Sequence, residues 1–272
     1  MKTLHLHLVS DSTGETAELV ARACTAQFKD LEMDEHLWNL VRKPKEVEAV
    51  LAGIEATPGF VLFTLVNEDV RNALEEGCRR LQVPHISILD PIVFALRAYV
   101  GSDVDPRPGR QHSMDDEYFG RIEAIQFALA HDDGQSAWNL NQADVVILGV
   151  SRTSKTPTCI YLANRGIKAA NVPIIPGVTL PPEVEQLDRP LVVGLTKETN
   201  NLIQIRRNRL RLLNEDDKTD YVDPETVAEE VKAARRLFSN HGWEIIDVTR
   251  KSIEETAATI ISLHSRRREN LS

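Results

Sequence analysis

The sequence has few cysteines, and their arrangement excludes two common uses of that residue. The three in this 272-residue chain, Cys24, Cys78 and Cys159, lie far apart and include no CxxC pair. An odd and scattered set argues against a disulfide framework or a zinc knuckle and is typical of the reducing cytosol. We therefore expect a cytoplasmic protein with free thiols.

Long apolar runs and an excess of positive charge are also missing. No run reaches the roughly 18 residues of a membrane span, and the first residues, MKTLHLHLVSDS, lack the apolar region and cleavage site of a signal peptide. The 32 lysines and arginines face 41 acidic residues, which gives a net charge of −9. Nucleic-acid and membrane-surface binders use a basic footprint. We expect neither nucleic acid nor a membrane surface as a partner. The net negative charge is still compatible with a local positive pocket for a small phosphorylated ligand.

Short β-rich apolar runs alternate with helical patterns along most of the chain, which predicts an α/β fold with mostly parallel sheets. Alternating leucines at 4–8 predict the first strand, and HLWNLV predicts a weaker second one. The alternation breaks at residues 101–117, where two prolines, two glycines and many charges predict a linker. We predict an N-terminal α/β domain at residues 1–105 and a larger domain at residues 106–272.

The most specific motif is Gly149-Val150-Ser151-Arg152-Thr153-Ser154-Lys155-Thr156, which follows an apolar strand pattern and precedes a helical one. Loops of the GxxxxGK[ST] type bind phosphates with the backbone N–H groups of a tight turn and the positive end of the helix. In that pattern Lys155 reaches the terminal phosphates and the Thr156 hydroxyl holds Mg²⁺. Ser154 replaces the second glycine, and a serine must adopt a strained backbone angle or reshape the loop.

The alternative for this motif is an ordinary strand-to-helix turn with a chance lysine and threonine. The flanking strand and helix favour nucleotide phosphate binding instead, in a C-terminal α/β domain resembling P-loop kinases. Arg152, inside the loop, is a candidate bidentate clamp for a phosphoryl group. Its alternative is a surface ion pair with a carboxylate.

Asp132 and Asp133, in the segment HDDG, are candidates for the general base and for metal coordination. The alternative is a polar helix end that Gly134 caps. The neighbouring His131 is a candidate to serve in their place, although a lone histidine in a turn is more often solvated. Asp247, after the strand WEII, is a further candidate carboxylate, because no aspartate ends the strand PLVVGLT.

Two other segments have more than one interpretation. The segment 10–16, SDSTGET, has the residues of a second anion site, or of a helix N-cap provided by Ser12 or Thr13. The arginines of the helix after VVGLT are candidates for closure over the nucleotide or for contact with a target. The alternative is that these arginines form ion pairs with acidic neighbours. The arginines of this helix are Arg206, Arg207, Arg209 and Arg211.

The segment GVSRTSKTPTCIYLANRGIKAANVPI resembles the core motif of the bacterial pyruvate, phosphate dikinase regulatory proteins, whose relatives act on phosphoenolpyruvate synthase. The resemblance extends to VSDSTGETAE, AHDDG, VGLT with its arginine helix, and IDVTRKSIEETA, and so covers nearly the whole chain. It implies a bifunctional serine/threonine kinase and phosphorylase. The kinase uses ADP to phosphorylate and inactivate an active-site threonine of the dikinase. The phosphorylase removes that phosphate with inorganic phosphate and releases pyrophosphate.

The resemblance also implies roles for the loop residues. Lys155, the loop amides and Mg²⁺ would neutralise charge on the β-phosphate of ADP, and a carboxylate would accept the threonine proton. Synthase-directed members look like GVSRCGKT at this loop, so Thr153-Ser154 is more similar to the dikinase-directed branch. The same chemistry on the synthase, a small-molecule P-loop kinase and a non-catalytic ADP sensor are the alternatives. A homodimer is compatible with a protein acceptor, but no motif specifies the oligomeric state.

Overall fold

The computed structural model describes residues 2–102, 108, 116–135, 137–215 and 219–271. They belong to two compact units, Met1–Ser113 and Met114–Ser272. Most of the linker predicted at 101–117 lies outside the described residues. Within the described part of the chain, no helix combines the length and apolar character needed to cross a membrane.

The first unit is a four-stranded sheet whose strands are all parallel, in the order β2-β1-β3-β4. Its elements are β1 (Lys2–Ser10), α1 (Glu15–Thr25), β2 (Leu31–Trp38), α2 (Pro44–Ala56), β3 (Phe60–Thr64), α3 (Glu68–Arg80), β4 (His85–Ser87) and α4 (Asp90–Val100). Because side chains alternate across a strand, Leu6 and Leu8 pack with α1 on one face. Val9, Val61 and Phe63 belong to the core cluster with α2 and α3 on the other.

The second strand was predicted in the wrong place. It begins at Leu31 rather than at His36, and it ends at Trp38. All of its residues, LEMDEHLW, are half-buried or exposed, because β2 lies at the edge of the sheet. Charged residues are favoured on an edge strand, and here they interrupt the apolar pattern from which a strand is predicted.

The second unit is also a four-stranded parallel sheet, in the order β6-β5-β7-β8. Its elements are α5 (Asp116–Ala130), β5 (Val145–Gly149), α6 (Lys155–Ala163), β6 (Ala169–Pro173), α7 (Pro182–Glu185), β7 (Leu191–Thr196), α8 (Thr199–Leu213), α9 (Pro224–His241), β8 (Glu244–Asp247) and α10 (Ile253–Leu271). Every residue of β5 and β7 is buried, as expected of central strands covered by helices on both faces. The predicted α/β class is confirmed.

The two sheets share one strand order, which no sequence repeat revealed. In each, the second strand lies beside the first, and the third lies on the other side of the first. Ligands of open parallel sheets bind where this order reverses, outside the carboxyl ends of the first and third strands. In the second unit this crevice lies between the ends of β5 and β7, at Gly149 and Thr196. In the first unit it lies between Ser10 and Thr64.

Candidate functional site

The predicted loop at residues 149–156 lies at the reversal point of the second sheet, between β5 and α6. Gly149 has no room for a side chain, because an added Cβ would lie 2.8 Å from the Leu195 carbonyl oxygen and 2.6 Å from Thr153 Oγ1. Arg152 and Ser154 both adopt left-handed backbone angles, with φ of 71° and 65°. Of the two predicted alternatives, Ser154 therefore adopts the strained angle, which costs a residue with a Cβ about 1–2 kcal/mol.

Two predicted nucleotide-binding residues of this loop hold its shape from inside. Val150 is part of the apolar core beneath the loop. Thr153 is fully buried, and its hydroxyl donates to the Val150 carbonyl oxygen at 2.9 Å. Lys155 Nζ donates to the same carbonyl at 3.1 Å. The side chains of Val150 and Thr153 thus support the turn, while the loop amides, Ser151, Arg152 and Ser154 border the crevice.

Lys155 is a buried cation, only 6% exposed, at the first position of α6. Burial lowers the pKa of its amine to about 8, while the carboxylate of Asp133 chiefly opposes that shift. A buried ammonium group that has given up water gains strongly from a neighbouring anion. The position therefore suits a group that neutralises phosphate.

A cluster of hydrogen bonds joins Thr156 to the segment before β5. The Thr156 hydroxyl donates to Asp132 Oδ1 at 2.9 Å. Asn171, on β6, donates from Nδ2 to the same carboxylate oxygen at 2.5 Å and to Asp133 Oδ1 at 3.2 Å. Its own Oδ1 is buried and has no hydrogen-bond partner among the described residues. The structure thus brings together Thr156 and Asp132, two residues that were predicted separately, with the Asn171 amide oxygen beside them.

Asp133 is placed differently from Asp132. It is exposed, adopts a left-handed φ of 50° in the 3₁₀ turn Asp132–Gly134, and borders a cavity of about 360 Å³. The same cavity is bordered by three cations, Arg152, Lys155 and Lys197. Burial lowers the pKa of Lys197, and the carboxylate of Asp247 opposes that shift. Three cations and one carboxylate therefore border the cavity. This arrangement suits an anionic ligand that has a reacting group near the carboxylate.

The four arginines of α8 separate into one buried and three exposed side chains. Arg206 is 1% exposed and pairs with Glu230 at 2.7 Å. It also donates to the backbone oxygens of Tyr221 and Ser151, at 3.0 and 3.3 Å. Pairing with an acidic neighbour is therefore correct for Arg206. The other three, Arg207, Arg209 and Arg211, are exposed and stay candidates for contact with a target.

Tyr221 is a loop contact that the sequence interpretation missed. Its hydroxyl lies 3.0 Å from Ser151 Oγ and accepts from Arg152 Nε at 3.3 Å, while the Arg206 guanidinium lies over its ring. Asn171 and Lys197 were missed as well. Each has one indication in the sequence. Asn171 is a polar residue within the apolar strand β6, and Lys197 directly follows the apolar strand β7.

Two secondary predictions need correction. His131 is buried rather than solvated, because it stacks on Phe127 and hydrogen-bonds to the Phe127 carbonyl oxygen and to Asn139. Neither Ser12 nor Thr13 caps α1, because Gly14 occupies the N-cap with a φ of 89° and no side-chain cap bond. Asp247 pairs with Arg235 at 2.8 Å, and its candidacy as a functional carboxylate stays a prediction.

The segment after β1 is closed by its own hydrogen bonds. Asp11 accepts from the Val66 backbone N–H at 2.8 Å, and burial raises the pKa of its carboxyl. Thr64 donates to Ser10 Oγ at 3.0 Å. These bonds link the ends of β1 and β3, and the second anion site in this segment stays a prediction.

Comparison with known proteins gives a consistent result over almost the whole chain. Residues 6–261 match the model of a family described as kinase/pyrophosphorylase. A relative from Paramagnetospirillum magneticum is 57% identical over 99% of this chain and 86% of its own length. Relatives from Erythrobacter litoralis and Rhodospirillum rubrum are each 53% identical, over 98% and 96% of this chain and 96% and 95% of their own. All three are provisionally named pyruvate, phosphate dikinase regulatory proteins.

Proposed function

The chain belongs to the kinase/pyrophosphorylase family, and we propose that it regulates pyruvate, phosphate dikinase by reversible phosphorylation of that enzyme's active-site threonine. In this proposal ADP donates the phosphoryl group that inactivates the dikinase, and inorganic phosphate removes it with release of pyrophosphate. The observation that carries the proposal is the cavity where Arg152, Lys155 and Lys197 meet the Asp132–Thr156 pair.

The charges around this cavity support a nucleoside diphosphate as the ligand. The protein as a whole is acidic, with a net charge of −9, yet three cations border this one space. Lys155 lies at the N-terminal end of α6, where the helix dipole and free N–H groups also favour anions. In the proposed complex the loop amides and Lys155 hold the β-phosphate, and Arg152 clamps the group that moves.

The oxygen cluster beside the cavity fits Mg²⁺. Asp132 offers a carboxylate and Thr156 a hydroxyl. Asn171 offers an amide oxygen that has no hydrogen-bond partner in the described part of the chain, and Mg²⁺ prefers such oxygen ligands. When bound, Mg²⁺ would neutralise charge on the phosphate oxygens. Thr156 and Asp132 are the residues we assign to hold it, and Asn171 orients the carboxylate.

The two neighbouring carboxylates then divide the remaining work. Both carboxylates accept from Asn171. Asp132 also accepts from Thr156, whereas Asp133 borders the cavity and is exposed. We assign Asp133 as the base that takes the proton of the acceptor threonine. The threonine oxygen forms a bond to the β-phosphorus, the bond from that phosphorus to the bridging oxygen breaks, and AMP leaves.

The reverse regulation uses the same groups. An oxygen of inorganic phosphate forms a bond to the phosphorus of phosphothreonine, and the bond from phosphorus to the threonine oxygen breaks. The threonine oxygen takes up the proton that hydrogen phosphate gives to Asp133, and pyrophosphate leaves. Arg152 and Lys155 serve both directions because each transition state carries its charge on the same transferred group.

The choice of the dikinase over phosphoenolpyruvate synthase depends on the Thr153-Ser154 pair and on the names of the relatives. Thr153 is buried beneath the loop, so its side chain does not contact the acceptor, whereas Ser154 borders the cavity. The exposed side chains of Arg207 and Arg211 on α8 are further candidates for contact with the target.

The test is to incubate the protein and Mg²⁺ with β-labelled ADP and phosphohistidine-charged dikinase, and separately with charged synthase. We expect label on the dikinase threonine, release of one AMP per label, and no label from γ-labelled ATP. Label on the synthase alone would move the target to the other branch. Transfer from ATP to a small metabolite, or ADP binding without any transfer, would overturn the proposal in favour of a metabolite kinase or a nucleotide sensor.

A further inference from the structure

A second group of potential ligands lies in the first unit, outside every residue assigned above. His5 on β1 and Asp34 and His36 on β2 point to the same face of the sheet, because His5 is in register with Asp34 and His7 with His36. His5 Nδ1 lies 3.1 Å from His36 Nε2 and 3.2 Å from Asp34 Oδ2. His36 Nε2 lies 3.6 Å from the same carboxylate oxygen.

We propose that His5 Nδ1, Asp34 Oδ2 and His36 Nε2 form a binding site for a zinc-type divalent transition metal ion. Tetrahedral zinc has bonds of about 2.0–2.1 Å to nitrogen and similar bonds to carboxylate oxygen, which places neighbouring ligand atoms roughly 3.3 Å apart. The three observed separations bracket that value. They therefore have the size of one face of a zinc tetrahedron.

The three ligand atoms converge on one point between β1 and β2. His5 Nδ1 lies within hydrogen-bond distance of both His36 Nε2 and Asp34 Oδ2. In the tautomers that leave His5 Nδ1 and His36 Nε2 without hydrogen, both nitrogens direct a lone pair at the space beside Asp34 Oδ2. One cation at the centre accepts all three lone pairs.

The ring of His36 stacks on His7, which is not one of the three proposed ligands. His7 is fully buried and stacks on His36 with ring centroids 4.6 Å apart. Both His7 nitrogens are occupied, because Nδ1 accepts from Trp38 Nε1 at 3.2 Å and Nε2 donates to the Thr57 carbonyl oxygen at 2.8 Å. This packing orients His36 before any metal binds, as supporting groups do in metal sites.

The donor set selects the ion and leaves one position open. Two imidazoles and one carboxylate suit zinc and its neighbours in the first transition row, whereas Mg²⁺ and Ca²⁺ prefer oxygen alone. The side chains of His5 and His36 are 33% and 25% exposed and that of Asp34 is 55% exposed, so solvent supplies the fourth ligand. The bound ion would link β1 to the edge strand β2 and stabilise the first unit.

The experiment uses the full chain after treatment with EDTA. Zinc is titrated in competition with a chromophoric chelator, and Co²⁺ is added separately to record its visible spectrum. We expect one zinc per chain and the intense d–d bands of four-coordinate Co²⁺ without thiolate charge transfer. Zinc is also expected to raise the melting temperature of the protein, because it binds the folded state.

Matched variants locate the ion. His36→Gln should weaken zinc binding by more than the roughly 10–100-fold that loss of a supporting group causes, and Asp34→Asn should weaken it without a folding defect because Asp34 is exposed. His85→Gln, on β4, and Asp132→Asn, in the oxygen cluster, should bind zinc as the wild type does. Absence of zinc binding in the wild type, or unchanged affinity in both Asp34→Asn and His36→Gln, would overturn the proposal.

Discussion

The hydroxyl of Thr156 donates a hydrogen bond to Asp132 Oδ1 at 2.9 Å, so a turn that precedes β5 delivers a carboxylate to the first turn of α6. In P-loop NTPases the loop threonine shares Mg²⁺ with an aspartate from a separate motif. Here the neighbouring strand β7 ends at Thr196 and is followed by Lys197. In the proposed complex, Asp132 would take the place that an aspartate from a separate motif has in P-loop NTPases.

Asp132→Asn tests this relationship. The amide oxygen still accepts from Thr156, so the fold should be kept, but the loss of charge should weaken Mg²⁺ binding and raise the Mg²⁺ concentration needed for activity. Activity measured against Mg²⁺ concentration gives the answer. Asp247→Asn is the matched control, because Asp247 is bound to Arg235. If the control shifted the Mg²⁺ requirement and Asp132→Asn did not, the assignment of Mg²⁺ to Asp132 would be wrong.

Ser154→Gly should stabilise the protein. The left-handed φ of 65° at Ser154 is costly for a residue with a Cβ and free for glycine. Relief of this strain is expected to raise the free energy of unfolding by up to about 1 kcal/mol, measured by urea denaturation. Ser262→Gly, at an exposed position within α10, should lower it by about 0.5 kcal/mol. Equal destabilisation by both substitutions would contradict the strain at Ser154.

Arg206→Ala should strongly destabilise the second unit. The substitution leaves Glu230 without its partner in a nearly buried position, and breaking a buried pair in this way costs about 3–5 kcal/mol. Arg207→Ala, one residue later on the exposed face of α8, should change the free energy of unfolding by less than about 0.5 kcal/mol. Similar urea midpoints for the two variants would show that Arg206 has no structural role.

The three cysteines should differ in reactivity. Cys24 is exposed, while Cys78 and Cys159 are buried, and burial raises the pKa of the Cys78 thiol to about 11. At pH 8 iodoacetamide should modify Cys24 alone in the native protein and all three in urea, as mass spectrometry would show. Rapid modification of native Cys78 would be inconsistent with this burial.

The same shift gives the sign of a pH effect on stability. Between about pH 9 and pH 11 the unfolded chain releases the Cys78 proton while the folded chain keeps it. The Cys78 contribution to stability is therefore complete below pH 9 and is lost as the pH rises towards 11. Cys78→Ala should reduce the fall in the free energy of unfolding over that interval.

The sequence predicted best the residues of the segment in which strand, turn and helix signals follow one another directly. The segment 149–156 has strand, turn and helix signals in one continuous stretch, and the structure has all three elements there. Asn171 and Lys197 lie beside this loop only because β6 and β7 flank β5. No local pattern carries that information.

Arg206 shows a signal that was present but not used. It is spaced by four residues from Leu202 and from Leu210, which are both buried on α8. This spacing places its side chain on the core face of the helix, where a charge requires a partner such as Glu230. The edge strand β2 is the opposite case, because its polar sequence concealed a regular element.

The central claim is that Lys155 acts on the phosphate that the protein transfers. The most direct measurement is the rate of label transfer from β-labelled ADP to the dikinase threonine by the wild type, Lys155→Ala and Lys168→Ala. Lys168 pairs with Glu123 just before β6 and provides the matched control. We predict that Lys155→Ala lowers the rate by at least about 100-fold and that Lys168→Ala keeps the wild-type rate. Transfer by folded Lys155→Ala at the wild-type rate would contradict the account.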